Sequence, residues 1–156
     1  MPGGAPPLTL AKRYAAVAAD LCGPWAASLR AAGHRADVPT VWLLEGLLYY
    51  MPEPDVAALL RTCAALSAPG SALVASCVNT PALLRARASG RSAAMRSFQS
   101  AVDAPAAYFG AAGWRVTAAP RPGDPECSYG GRHAAPEADV ADGTKPASYY
   151  VRAVLA

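Results

Sequence analysis

The residues best placed for chemistry are Glu45 and Gly46, which end an apolar run. Residues 41–44 are Val-Trp-Leu-Leu, and the proline and glycine that flank them limit the run to the length of a strand. A continuous apolar run predicts a parallel strand that is buried on both faces. Ligands of open α/β sheets bind beyond the carboxyl ends of such strands, so Glu45 is placed to meet a polar or cationic group. A carboxylate that caps the following helical turn is an equally good interpretation.

The composition excludes several classes of protein. The chain has 156 residues, of which 53% are hydrophobic, and this is enough for the core of one small domain. Its net charge of +3 is spread along the chain, so nucleic-acid binding is not indicated. The four cysteines are far apart and neither histidine joins them, so no metal site is predicted. No signal peptide is visible and no apolar stretch reaches about 18 residues, so we expect no membrane segment and a cytoplasmic protein.

The elements that must position Glu45 follow the alternation of strand and helix that is typical of a parallel α/β sheet. Residues 1–13 are predicted to be a disordered tail and residues 14–156 a single domain. Strands are predicted at residues 14–19, 41–44, 73–78, 114–118 and 149–155. Helices are predicted from Pro24 to the residue before Gly33, from Pro54 to the turn at residues 69–70, and after Asp103 as an N-cap. Residues 81–100 are predicted to form a broken helical stretch over the site, and residues 127–145 an irregular loop.

Four arginines lie in the broken helical stretch, and an anion is a conceivable ligand for them. Charges along a helix are more often a solvated face, so no ligand is assigned to these side chains. They are Arg85, Arg87, Arg91 and Arg96.

Three stretches together resemble the leucine carboxyl methyltransferase-like, S-adenosylmethionine-dependent methyltransferases. They are RYAAVAADLCGPWAASLRAAG, VPTVWLLEGLLYYMPEPDVAALLRTCAALSAPGS and APAAYFGAAGWRV. The resemblance covers residues 14–156 but only the carboxyl-terminal part of such an enzyme. It implies a partial Rossmann-like class I methyltransferase sheet with helices on both faces and without the first two strands. It also implies S-adenosyl-L-methionine as cofactor.

The resemblance also implies the residues that contact this cofactor. Asp20 and Leu21 match the Asp-Leu pair that contacts the adenine, and Glu45 and Gly46 match the Glu-Gly pair beside the methionine part. Methyl transfer from a sulfonium is a displacement that mainly requires alignment of the reactants and exclusion of water. No catalytic residue is therefore assigned.

The chain departs from the family pattern because it has neither the glycine-rich cofactor loop nor the acidic residue that holds the ribose. In the family's strand order, 3-2-1-4-5-7-6, it would keep strands 4, 5, 7 and 6 contiguous. Strand 3 would lose its neighbours, and strand 4 would expose an unpaired edge. The isolated chain is therefore expected to bind the cofactor very weakly or not at all.

Two functions stay open on this evidence. One is a truncated methyltransferase that transfers a methyl group to an oxygen or carboxyl group of a small molecule or protein, with a possible complementing chain. The other is a non-catalytic remnant or interaction module that pairs through its open sheet edge.

Overall fold

The computed structural model of the protein describes residues 13–89, 92–127 and 143–156. At least one helix precedes each of the first three strands along the chain, as in α/β proteins. The helices are α1 (Ala26–Ala31), α2 (Glu53–Ala65), α3 (Thr80–Ala88), α4 (Ala93–Arg96) and α5 (Pro105–Gly110). The strands are β1 (Val41–Leu44), β2 (Ala72–Val78), β3 (Trp114–Ala118) and β4 (Ser148–Leu155), and short 3-10 turns cover Leu48–Tyr50 and Pro125–Cys127.

The four strands form one open sheet in the order β1-β2-β4-β3. Strand β1 runs parallel to β2, whereas β4 lies between β2 and β3 and is antiparallel to both. This order is the 4-5-7-6 arrangement that the family resemblance implies. The predicted α/β class is confirmed, as are the four strands that make up the sheet.

One face of the sheet carries the hydrophobic core. Trp114 of β3 is fully buried, and its indole Nε1 donates a hydrogen bond of 2.9 Å to the carbonyl of Leu60 in α2. Apolar residues at helical spacing turn one side of α2 towards this face. They are Val56, Leu59, Leu60 and Cys63. The core therefore joins α2 to the strands, and Phe109 of α5 is buried in the same cluster.

The opposite face of β1 is open. The side chains of Val41 and Leu43 are 74% and 66% exposed, whereas Leu44 is buried and Trp42 is half-buried on the core face. The expectation that this strand is buried on both faces is therefore wrong for the described part of the chain. The reason is that Val41 and Leu43 point away from the face that carries the core, and neither belongs to the core cluster or packs against it.

Two local predictions are also wrong. Residues 13–20 form no strand, because the sheet ends at β1 and offers them no partner; Val17 and Leu21 instead line an apolar cavity of about 180 Å³. Asp103 is not an N-cap, because helix α5 follows Ala104 and has no side-chain cap. The carboxylate of Asp103 accepts hydrogen bonds from the backbone N–H and the hydroxyl of Thr80, each of 2.7 Å.

The remaining helical predictions agree with the structure. Helix α1 ends before Gly33, whose φ of +102° suits a glycine, and α3 and α4 form the broken stretch expected between residues 81 and 100. The predicted tail lies outside the described residues except for Arg13, and most of the predicted loop at residues 127–145 lies outside them too. No helix in the described ranges has the length and apolar character that crossing a membrane requires.

Candidate functional site

The turn after β1 holds Glu45 and Gly46 at the carboxyl end of the parallel strand pair. Gly46 has a φ of +65°, a left-handed conformation that favours glycine. Its backbone N–H donates a hydrogen bond of 2.8 Å to the hydroxyl of Ser76 in β2. The side chain of Glu45 is exposed. The neighbouring strand thus fixes the turn and leaves the carboxylate facing solvent.

The capping interpretation of Glu45 is wrong. The 3-10 turn after it begins beyond Leu47 and has no side-chain cap. Among the described residues, no hydrogen bond or ion pair engages the carboxylate of Glu45. Arg35, the basic residue nearest to it in sequence, forms an exposed ion pair of 2.6 Å with Asp37. The carboxylate is therefore available to a ligand.

An aromatic cluster lies directly after this turn. The ring of Phe98 lies 4.4 Å from that of Tyr49 and 5.1 Å from that of Tyr50, centroid to centroid, and the two tyrosine rings are 4.9 Å apart. Burial raises the pKa of Tyr49, and the charge of Glu45 adds to this, while the Ser76 hydroxyl lowers it. The largest of these effects on the pKa of Tyr49 is burial, so the ring of Tyr49 belongs mainly to the packed cluster.

Residues 98–102 form a strap that holds the aromatic turn against β2. Gln99 donates from its backbone N–H to the carbonyl of Tyr49 at 2.7 Å and from its side chain to that of Tyr50 at 2.6 Å. The hydroxyl of Ser100 donates to the carbonyl of Leu48 at 2.8 Å, and the N–H of Val102 donates to the end of β2. The broken helical stretch at residues 81–100, which was predicted to cover the site, thus leads into the strap, and the strap is hydrogen-bonded to the aromatic turn.

Two of the arginines near the strap have different surroundings. Arg87 donates to the backbone carbonyls of Phe98 and Gln99 at 2.8 and 3.3 Å, so it anchors the strap. Arg85 lines a cavity of about 280 Å³ beside α3, and Phe98 of the strap lines the same cavity. Arg91 lies outside the described residues.

Asn79, at the carboxyl end of β2, is a buried junction that sequence reasoning missed. Its side chain is 1% exposed. The amide oxygen accepts from the N–H of Ala82, which caps α3, and from the N–H of Ala147, at 3.0 and 2.8 Å. The amide nitrogen donates to the carbonyl of Lys145 at 2.8 Å. The sequence signal for a helix cap was an asparagine that follows a strand and stands two positions before a proline. The partners of Asn79 just before β4, however, are 66 and 68 residues away in the sequence.

The predicted pair Asp20 and Leu21 lies in a turn before α1. The carboxylate of Asp20 accepts a hydrogen bond of 3.0 Å from the N–H of Cys22, so part of its bonding capacity is used within the turn. Leu21 lines the 180 Å³ cavity together with Leu44, the residue before Glu45. Leu21 therefore lies near β1, but no hydrogen bond joins the two predicted pairs in the described structure.

Comparison with known proteins supports the resemblance. A match to the leucine carboxyl methyltransferase family covers residues 4–64, a range that includes all four predicted site residues. A relative from Mycolicibacterium gilvum, named "Putative S-adenosyl-L-methionine-dependent methyltransferase", is 38% identical over 156 aligned positions, which cover 90% of this chain and 48% of the relative. A relative of the same name from Mycobacterium marinum is 50% identical over 64 residues, which cover 41% of this chain and 20% of the relative.

The alignment with the Mycolicibacterium gilvum relative therefore covers most of this chain but only part of the relative. The chain spans about half the length of the Mycolicibacterium gilvum protein. The two relatives carry the same name. The sheet also has the strand order that the resemblance implied. We conclude that the chain is similar to the leucine carboxyl methyltransferase family over residues 4–64 and to a protein named as a putative S-adenosyl-L-methionine-dependent methyltransferase over 90% of its length.

Proposed function

We propose that this chain forms part of an S-adenosyl-L-methionine-dependent methyltransferase that methylates an oxygen or carboxyl group. The observation that carries the proposal is the exposed carboxylate of Glu45, which lies at the carboxyl end of β1 and has no hydrogen-bonded partner among the described residues. A carboxylate in this place suits the ammonium group of the cofactor's methionine part. Gly46 has no side chain, so a ligand is able to approach its backbone closely.

The remaining predicted residues would hold the other end of the cofactor. Asp20 would accept a hydrogen bond from an adenine amino group, and Leu21 would contact the ring. The rings of Tyr49 and Phe98 offer an aromatic surface that suits a positively charged sulfonium. When bound, the cofactor supplies a methyl group activated by the sulfonium charge. The residues of this chain bind and orient it and exclude water from the reacting atoms.

The described residues fit only part of the cofactor. They include no glycine-rich turn after a first strand and no acidic residue after a second strand that would hold the ribose. We therefore propose that a complementing polypeptide completes the site, that the acceptor is a small molecule or a protein carboxylate, and that the assembled protein is cytoplasmic. On this basis the isolated chain binds S-adenosyl-L-methionine very weakly or not at all.

The substitution Glu45→Gln tests the proposal in the complemented protein. Loss of one charged hydrogen bond is expected to weaken cofactor binding by about 1.5 to 3 kcal/mol, or roughly ten- to a hundredfold. Isothermal calorimetry measures this loss, and the melting temperature should not change because Glu45 is exposed and caps no helix. Glu126→Gln is the matched control, since Glu126 is also exposed but pairs with Arg152.

Two results would contradict this assignment. The first is a lower melting temperature for Glu45→Gln with unchanged cofactor affinity, which would make Glu45 a structural residue. The second is micromolar binding of the cofactor by the isolated chain, since the contacts that this chain lacks would then be unnecessary.

A second candidate function is a non-catalytic interaction module that pairs through its open sheet edge. The exposed apolar side chains of β1 favour this alternative. Cofactor affinity discriminates between the two functions. A stable complex of this chain with a partner protein that has no measurable affinity for S-adenosyl-L-methionine would favour the module.

A further inference from the structure

We infer that the cavity beside α3 binds a small carboxylic acid with an apolar body. The cavity has a volume of about 280 Å³ and lies between four parts of the described chain. They are the end of β2, one face of α3, the segment from α4 to the strap, and the residues that lead into β4. The inference goes beyond the proposed function, because binding of this acid does not require the cofactor.

The first argument is the face that α3 turns towards the cavity. The lining residues of α3, together with the residue that follows the helix, recur at helical spacing, so they lie on one side of the helix. They are Ala82, Arg85, Ala86 and Ser89. The short side chains of the two alanines leave room for a ligand, and Arg85 places a guanidinium beside that room. Helix α3 therefore supplies both the space and a positive charge.

The second argument is that the donors facing the cavity are free. Arg85 is the only charged residue among the described residues that line the cavity, and within these residues no hydrogen bond or ion pair engages its guanidinium. Arg87, by contrast, donates to two carbonyls of the strap. Ser148 also lines the cavity, and no described residue is hydrogen-bonded to its hydroxyl. An anion in the cavity therefore meets free N–H and O–H donors and no carboxylate from the described lining.

The third argument concerns the charge of the ligand. A guanidinium forms two parallel hydrogen bonds with one carboxylate. A phosphate monoester carries roughly two negative charges at neutral pH, and no second cation lies among the described lining residues. The remaining wall includes the apolar side chains of Val78, Met95 and Phe98, which suit an apolar body and penalise an unpaired charge. The lining therefore favours a carboxylate with a single charge over a phosphate.

The fourth argument is the size and place of the cavity. Its volume is close to the lower end of the roughly 300 to 1,000 Å³ that ligand pockets occupy, so the ligand is a small molecule. Val78 ends β2 and pairs with Ser148, so the cavity lies at the carboxyl end of β2, where ligands of α/β sheets bind. The ring of Phe98, which lines the cavity, packs against Tyr49. A bound acid would therefore also perturb the aromatic turn.

Titration of the chain with hydrocinnamate, followed by nuclear magnetic resonance, tests the inference. Hydrocinnamate consists of a phenyl ring, a short alkyl chain and one carboxylate. We expect a Kd in the low millimolar range, as is typical of so small a ligand, and shifts of the amide resonances of residues 82–89, 95–98 and 146–148. Hydrocinnamamide has the same shape without the charge and should bind about tenfold more weakly or less. Phenyl phosphate should also bind more weakly than hydrocinnamate.

Two pairs of variants locate the bound acid. Arg85→Gln should weaken hydrocinnamate binding about tenfold or more, whereas Arg30→Gln removes an exposed arginine of α1 outside the cavity and should leave binding unchanged. Ala82→Leu fills the cavity and should abolish binding, whereas Ala88→Leu changes an exposed residue of α3 that does not line it and should have no effect. The melting temperature of each variant shows whether it is folded, and Arg85→Gln decides the outcome if Ala82→Leu does not fold.

The inference is overturned if hydrocinnamate and hydrocinnamamide bind equally well, or if Arg85→Gln binds the acid as tightly as the unsubstituted chain. Unchanged binding by a folded Ala82→Leu variant would place the acid outside the cavity and would overturn it too. Tighter binding of phenyl phosphate would refute the assignment of a carboxylate. Glu45 does not line this cavity, so the effect of Glu45→Gln on cofactor affinity bears on the proposed function alone.

Discussion

Replacing Asn79 by alanine should destabilise the protein more than the loss of an ordinary helix cap. The amide oxygen of Asn79 caps α3 through Ala82, and loss of such a cap costs about 1 kcal/mol. The same oxygen accepts from the N–H of Ala147, a residue that is 8% exposed, and an unsatisfied buried donor costs about 1 to 3 kcal/mol. The carbonyl of Lys145 loses a donor but belongs to an exposed residue, so it adds little. The expected loss of unfolding free energy is therefore about 2 to 4 kcal/mol.

Urea unfolding of the purified chain measures this loss, and two further variants separate its parts. Ser92→Ala removes only a cap, because the hydroxyl of Ser92 accepts from the N–H of Met95 on an exposed helix. It should cost about 1 kcal/mol or less. Asn79→Ser restores an oxygen that caps α3, but the shorter side chain does not reach the N–H of Ala147. Its loss of unfolding free energy should therefore lie between those of Asn79→Ala and Ser92→Ala. If Asn79→Ala costs no more than Ser92→Ala, the buried N–H has found another partner and the reasoning is wrong.

Two further predictions concern the turn after β1 and the core. Ser76→Ala removes the acceptor for the N–H of Gly46, so the Gly46 amide should exchange hydrogen faster while global stability falls by only about 1 kcal/mol; unchanged exchange would show that Ser76 does not hold the turn. Burial raises the pKa of Cys63 and Cys77 from the ordinary 9.0 to about 12. Because a raised pKa favours the neutral thiol in the folded protein, this stabilisation is complete below pH 9 and is lost as the pH rises towards 12. The urea midpoint should fall over that interval, and a constant midpoint would contradict the prediction.

Much of the sheet could be predicted from the sequence because its strands are short apolar runs between turn residues. The runs at residues 41–44, 73–78, 114–118 and 149–155 all form strands, and glycine and proline mark the turns around them. The run at residues 14–19 has a similar pattern but forms no strand. A strand needs a hydrogen-bonded neighbour, and whether one is present depends on tertiary structure rather than on the local pattern.

The candidate site was predictable only where it depends on local sequence. The positions of Glu45 and Gly46 follow from the end of an apolar run, and the positive φ of Gly46 suits its residue type. The exposure of Leu43 could not be predicted, because it depends on what lies beside β1. The contacts of Asn79 and Gln99 join residues 49 to 68 positions apart, and no periodicity in a single sequence indicates such polar pairs. The contacts that hold the site together therefore appeared only in the structure.

The central place of β4 in the sheet has a consequence for biosynthesis. Strand β4 follows β1, β2 and β3 in the chain, yet it lies between β2 and β3, which do not pair with each other. Until residues 148–155 have emerged from the ribosome, β3 has no partner among the described strands and β2 pairs only with β1 among them. Pairings between residues so distant in sequence form late and slowly, and unpaired strands are prone to aggregate in the meantime. Nascent chains that stop before β4 should therefore expose the edges of both β2 and β3 and depend on chaperones until β4 is synthesised.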